Sequence, residues 1–139
     1  MMQKIALRLG VFLLFLGTVL LVFNNTEGRT VGYKNISVEK FMGMIQNKDF
    51  ILINVHVPYQ GEIPGTDRLI PYHSIDLRQE ELPADRSAKI VVYCLTGPMG
   101  YAAVDKLVKL GYKNVLHFEG GMIDWVRSGN QLVYRKKGS

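Results

Sequence analysis

The sequence predicts an α/β fold, a small parallel β-sheet flanked by helices and preceded by one N-terminal hydrophobic helix. Three observations carry that expectation. Short, nearly continuous apolar runs at residues 50–55, 89–93 and 114–118 read as strands buried on both faces. Segments with helical apolar spacing lie between them, and strand alternating with helix is the pattern of a parallel sheet with right-handed crossovers. An unbroken apolar stretch over residues 9–23 precedes all of this.

That first stretch follows Lys4 and Arg8, and positive charge ahead of an apolar run keeps the N-terminus in the cytoplasm. No small-x-small cleavage site follows it, since Val22-Phe23-Asn24-Asn25-Thr26 offers none. The expectation is an uncleaved signal-anchor over residues 1–25, contacting the membrane through residues 5–23, with the domain on the periplasmic or extracellular face. The alternative is secretion after cleavage at a weak site. A polar linker at residues 26–32 leads to a domain at 33–135, and a basic tail closes the chain at 136–139.

Within the domain, Ser37 is placed to cap a helix whose apolar positions are Val38, Phe41, Met42 and Ile45, ending at Asn47-Lys48-Asp49. The run at 50–55 is the first strand, and a loop punctuated by Pro58, Gly61, Pro64 and Gly65 follows it. A short strand at 68–70 stops at Pro71, and a helical turn carries Glu80, Glu81 and Leu82 before Pro83. The strand at 89–93 runs into Cys94 and a glycine-rich loop over residues 95–100. The next helix sets Ala102, Ala103, Leu107 and Leu110 on one side and ends at Gly111. The strand at 114–118 follows, then a last short helix opened by Gly120-Gly121 and carrying Trp125, read as a core residue.

The totals narrow the function classes. The net charge of +5 is spread along the chain, with one short run, Arg135-Lys136-Lys137, and there is no basic-aromatic stripe of the kind nucleic-acid binders use. One cysteine in 139 residues excludes an intramolecular disulfide and every multi-cysteine metal centre. His73 and His117 show no ligand spacing, so no metal is expected.

Cys94 is where the chemistry concentrates. Ligand crevices in open α/β sheets lie at the carboxyl ends of strands. The loop Leu95, Thr96, Gly97, Pro98, Met99 and Gly100 is able to curl so that its N–H groups point inward, with a helix N-terminus beneath. Such a cradle favours a thiolate. A cysteine packed as a small hydrophobe is the alternative. It accounts for one in mid-strand better than for one at a strand exit before a glycine loop.

Several spaced motifs then agree in order with one family. Val91-Val92-Tyr93-Cys94-Leu95-Thr96-Gly97, Ala102-Ala103, Leu107, Leu110-Gly111-Tyr112, Asn114-Val115 and Glu119-Gly120-Gly121-Met122 with Trp125 resemble the second half of a rhodanese-like domain. Ile51-Leu52-Ile53-Asn54-Val55, Ile63-Pro64-Gly65 and Ile70-Pro71 resemble its first half, so the resemblance covers residues 33–133. It implies a sulfurtransferase in which Cys94 takes a sulfane sulfur from a small donor, thiosulfate or a persulfide. The sulfur then passes to cyanide, a thiol or an acceptor protein, without metal or organic cofactor. Residues 95–100 would bind the persulfide. Asn54, His56 and Glu62 are candidates to stand behind them, His56 because it follows a parallel strand as Cys94 does; a hydrogen-bonded loop role for His56 and a turn or capping role for Glu62 are the favoured alternatives. The chain departs from the family pattern in having Asn54-Val55-His56 where Asp-x-Arg is usual, and no cation in the loop. The second departure points away from thiosulfate and toward a less charged donor. Gly100 stands where related phosphatases carry a phosphate-gripping arginine, which argues against phosphatase chemistry. The alternative function is a non-catalytic docking or sulfide- and redox-sensing module.

Overall fold

The computed structural model describes residues 32–136. The signal-anchor, all but the last residue of the linker and most of the basic tail lie outside the described residues. Among the described residues no helix is long and apolar enough to cross a membrane.

Five strands form one sheet in the order β1-β5-β4-β2-β3, every pairing parallel. β2 (Ile51–Asn54), β4 (Ile90–Tyr93) and β5 (Val115–Phe118) coincide with the three apolar runs. They lie inside the sheet, which is why their residues are apolar on both faces. β3 (Arg68–Leu69) is a two-residue edge strand. β1 (Tyr33–Ile36) forms the other edge and was not expected. Its Lys34 and Asn35 are exposed, so the strand carries no apolar run.

α1 (Val38–Gln46) begins where Ser37 Oγ accepts the Lys40 N–H at 3.3 Å. α1 and α3 (Gly121–Arg127) cover one face of the sheet. There Phe41 stacks on Phe118 with ring centroids 4.5 Å apart, and Trp125 meets Phe41 edge-on at 5.9 Å. α2 (Pro98–Lys109) and a short turn at Tyr72–Ser74 cover the other face. α2 starts three residues earlier than expected. Pro98 takes its first position, where a missing N–H costs nothing and a fixed φ favours the helix. The glycine-rich loop is therefore only Leu95, Thr96 and Gly97, and Pro98, Met99 and Gly100 form the first turn of α2.

β2 hands the chain outward to β3, whereas β4 hands it through α2 the other way to β5. β2 and β4 are neighbours, so the chain leaves them in opposite directions and a crevice opens between their carboxyl ends. Cys94 is the first residue beyond β4 at that point.

Candidate active site

Side chains alternate across the sheet, so Ile90, Val92 and Cys94 face α2 while Val91 and Tyr93 face α1 and α3. Cys94 is 1 % exposed, and Tyr72 and Met99 are half-buried against its cluster. Its Sγ accepts the Gly97 N–H at 2.9 Å. Gly97 makes that contact with φ of +123°, a conformation closed to other residues, and a side chain there would press on the Glu119 carbonyl at 3.1 Å.

Two hydrogen bonds from α3 hold the rest of the loop. Met122 N–H donates to Cys94 O at 3.0 Å and Ile123 N–H to Leu95 O at 3.1 Å. In a trans peptide the N–H points opposite to the carbonyl, so the Leu95 and Thr96 N–H groups face away from α3. Neither donates to any group among the described residues. One donor of the expected cradle is missing. Pro98 has no N–H to give, and the ring of donors from 95 to 100 is broken there. What remains is the Gly97 donor, the free Leu95 and Thr96 donors, and the unpaired N–H groups of the first turn of α2. Free N–H groups at such a helix end are able to bind an anionic ligand. No side chain from 95 to 100 is charged.

On the other face of the sheet Tyr93 is anchored by its hydroxyl. Its hydroxyl accepts the Ile63 N–H at 2.9 Å and lies 2.7 Å from Thr66 Oγ1, and burial pushes its pKa up. A cavity of about 430 Å³ opens beside the loop, lined by Thr96 with Ser37, Glu39, Glu119, Asp124 and Arg127.

The residues expected behind the loop are placed elsewhere. Asn54 is buried, donating to Gly61 O at 3.1 Å and accepting the His56 N–H at 3.0 Å. His56 Nε2 lies 2.7 Å from Gln60 Oε1, a contact joining the two ends of the turn. With Asn54, Tyr59 and Arg78 it lines a separate cavity of about 250 Å³ to which residues 94–100 contribute nothing. Glu62 accepts the single Nε–H of Arg135 on both carboxylate oxygens, at 2.9 and 3.2 Å, and serves the C-terminal segment instead. No three His, Cys, Asp or Glu side chains among the described residues come together as metal ligands.

Residues not singled out for the site also shape it. Gly121 has φ of +56°, and a Cβ there would lie 2.3 Å from Cys94 O, so only glycine lets α3 reach the loop. His117 lies fully buried under α2, and burial holds its pKa below the ordinary value. A histidine inside the otherwise apolar stretch Val115-Leu116-His117-Phe118 was the available signal.

Comparison with known proteins bears on this geometry. The family model described as Rhodanese-like domain matches residues 37–128. A sulfurtransferase of Allochromatium vinosum is 37% identical over 93 residues, covering 65% of this chain and 84% of that protein. A tRNA uridine(34) hydroxylase of Hamiltonella defensa is 32% identical over 95 residues, which are 63% of this chain but 26% of the hydroxylase. The crystal structure of a rhodanese-related protein from Thermoplasma volcanium superposes with a TM-score of 0.63 at 25% identity, over 74% of this chain and 100% of that one.

Proposed function

The chain belongs to the rhodanese-like family, and from that premise we propose that it is a sulfurtransferase working through a persulfide on Cys94. The Cys94 thiolate attacks the sulfane sulfur of the donor. The donor's S–S bond breaks, and its electron pair leaves with a thiolate, or with sulfite if the donor is thiosulfate. An acceptor nucleophile, cyanide or a thiol, then attacks the outer sulfur and Cys94 leaves as thiolate. The observation that carries this reading is the Gly97 N–H held on Cys94 Sγ at the head of α2. The outer sulfur of a persulfide extends about 2.05 Å further. The free Leu95 and Thr96 donors are the groups able to stabilise its charge. A persulfide donor suits this loop better than thiosulfate, because a dianion would find no cationic side chain on residues 95–100.

The test is the intact mass of the protein after exposure to glutathione persulfide and, separately, to thiosulfate. The expected result is a gain of one sulfur atom from the persulfide, discharged by cyanide and absent in Cys94→Ser. No gain from either donor would favour the docking or sensing module, a reading supported by the deep burial of Cys94. We also read residues 5–23 as an uncleaved membrane anchor that holds the domain outside the cytoplasm. Protease added to cells whose outer envelope has been opened, with the inner membrane intact, should then remove the domain, and protection would refute that placement.

A further inference from the structure

His117 is 0 % exposed in β5, and its Nε2 has no hydrogen-bond partner. Its other nitrogen, Nδ1, lies 3.2 Å from Asn35 Oδ1. The orientation of that amide follows from its neighbours. The Tyr101 hydroxyl donates to the Glu119 carboxylate, so it accepts from Asn35 Nδ2 at 3.2 Å, which leaves Oδ1 toward His117. An amide oxygen only accepts, so the ring proton sits on Nδ1 and Nε2 presents a lone pair. That nitrogen faces α2, where a Cβ on Gly100 would lie 2.1 Å from it. The first turn of α2 thus rests directly on the imidazole. The Tyr101 ring also meets the imidazole edge-on, at 4.4 Å. Two hydrogen bonds separate this contact from the sulfur: Tyr101 N–H to Gly97 O at 3.1 Å, and Gly97 N–H to Cys94 Sγ at 2.9 Å.

We propose that neutral His117 is the seat of the first turn of α2, a positioning residue that sets the Gly97 donor on Cys94, and that a second ring proton unseats this turn and shuts the site off in acid. A proton on Nε2 would place an N–H against the first turn of α2 at Gly100, where that nitrogen has no hydrogen-bond partner. It would also set positive charge beside the positive end of the α2 dipole. The titratable groups beside the imidazole are Tyr33 from β1, Tyr101 from α2 and Glu119 beyond β5. Of these Glu119 alone favours the charged imidazole, and its carboxylate is already engaged by Tyr101.

The consequence for turnover rests on the reading of Cys94 as the reacting sulfur, whereas the seat itself is read independently of it. NMR of the full chain in detergent micelles would follow the His117 ring and the Gly97 amide through a pH titration. The Gly97 signal is expected to move with the same midpoint as the ring, and to lose that step in His117→Asn, which keeps a donor for Asn35 but does not titrate. A Gly97 amide indifferent to the ring, or a step that survives His117→Asn, would overturn the proposal. Sulfur uptake supplies a second arm. Gly100→Ala, which drives a methyl into Nε2, is expected to slow uptake about tenfold or more at neutral pH. Adding His117→Ala, which makes room for that methyl, should recover most of the loss, and a double variant as slow as Gly100→Ala would refute the seat. If the wild-type chain takes up no sulfur at all, the proposed activity fails while the NMR result still decides the role of His117.

Discussion

A buried imidazole with one unpaired nitrogen makes stability depend on pH in a predictable direction. The unfolded chain protonates His117 near its ordinary value of 6.5, and the folded chain only at lower pH. Below about 6.5 the unfolded state therefore binds more protons, and stability falls as pH drops through the folded value. Above 6.5 the His117 contribution is fully present. The carboxylates act lower on the scale. Hydrogen bonds from Lys89 and Lys106 hold Asp49 and Asp76 below the carboxylate range, so their contribution disappears only in stronger acid. The two windows separate, and the urea midpoint should begin to fall just below neutrality. That early fall should be absent in His117→Asn, and an identical profile in the variant would mean that other groups set the acid limb. His117 stood in the sequence as a lone histidine without ligand spacing. Its role depends on Gly100 and Asn35 lying against it, and neither neighbour is adjacent along the chain.

Among the elements, α3 has a function out of proportion to its seven residues. The N–H groups of its second and third residues, Met122 and Ile123, cap the Cys94 and Leu95 carbonyls, so a helix end that would otherwise face water organises the loop after β4. Gly121→Ala tests this directly. A side chain at φ of +56° is strained, and its Cβ would collide with Cys94 O, forcing α3 outward. A loss of about 2–4 kcal/mol in urea unfolding is expected, since strain and the Met122 and Ile123 hydrogen bonds are involved together. Slower sulfur uptake should accompany it. A variant with unchanged stability and uptake would show that the loop holds its shape without α3. The Gly120-Gly121 pair was legible as a helix start, but its contact with the strand exit 27 residues earlier was not.

Across the whole molecule, the C-terminal segment straps the turn that follows β2. Val133 pairs with Glu62 in an isolated antiparallel bridge, and Arg135 N–H donates to the Tyr59 hydroxyl at 2.9 Å. The Glu62 side chain is 8% exposed and depends on Arg135, which is 48% exposed. Removing the arginine leaves a nearly buried carboxylate with little besides Tyr59 at 3.4 Å. Arg135→Ala is expected to cost about 1–3 kcal/mol, below the full penalty for a buried pair because the arginine is half in water. The readout is a lower urea midpoint with an unchanged slope. Adding Glu62→Gln should restore much of the loss by removing the stranded charge, and a double variant no better than Arg135→Ala would locate the loss in the strap itself.

The sequence by itself determined the class of the fold, the three inner strands, the helices between them and the position of Cys94 at a strand exit. These follow from periodicity and capping, which consecutive residues encode, and burial on both faces demands an apolar side chain at every position of an inner strand. Only the tertiary structure decided the rest. The edge strand β1 was hidden because its burial alternates weakly and its Lys34 and Asn35 face water. Asn54, His56 and Glu62 were candidates to stand behind Cys94, His56 because it follows a neighbouring strand, beside the favoured reading of His56 and Glu62 as loop and turn residues. They turn instead to Gly61, Gln60 and Arg135, partners chosen by loop geometry and by a segment 73 residues away. The seat of α2 on His117 likewise exists only once β5 and α2 are packed, because a buried contact is a property of two surfaces and each residue's local pattern describes one.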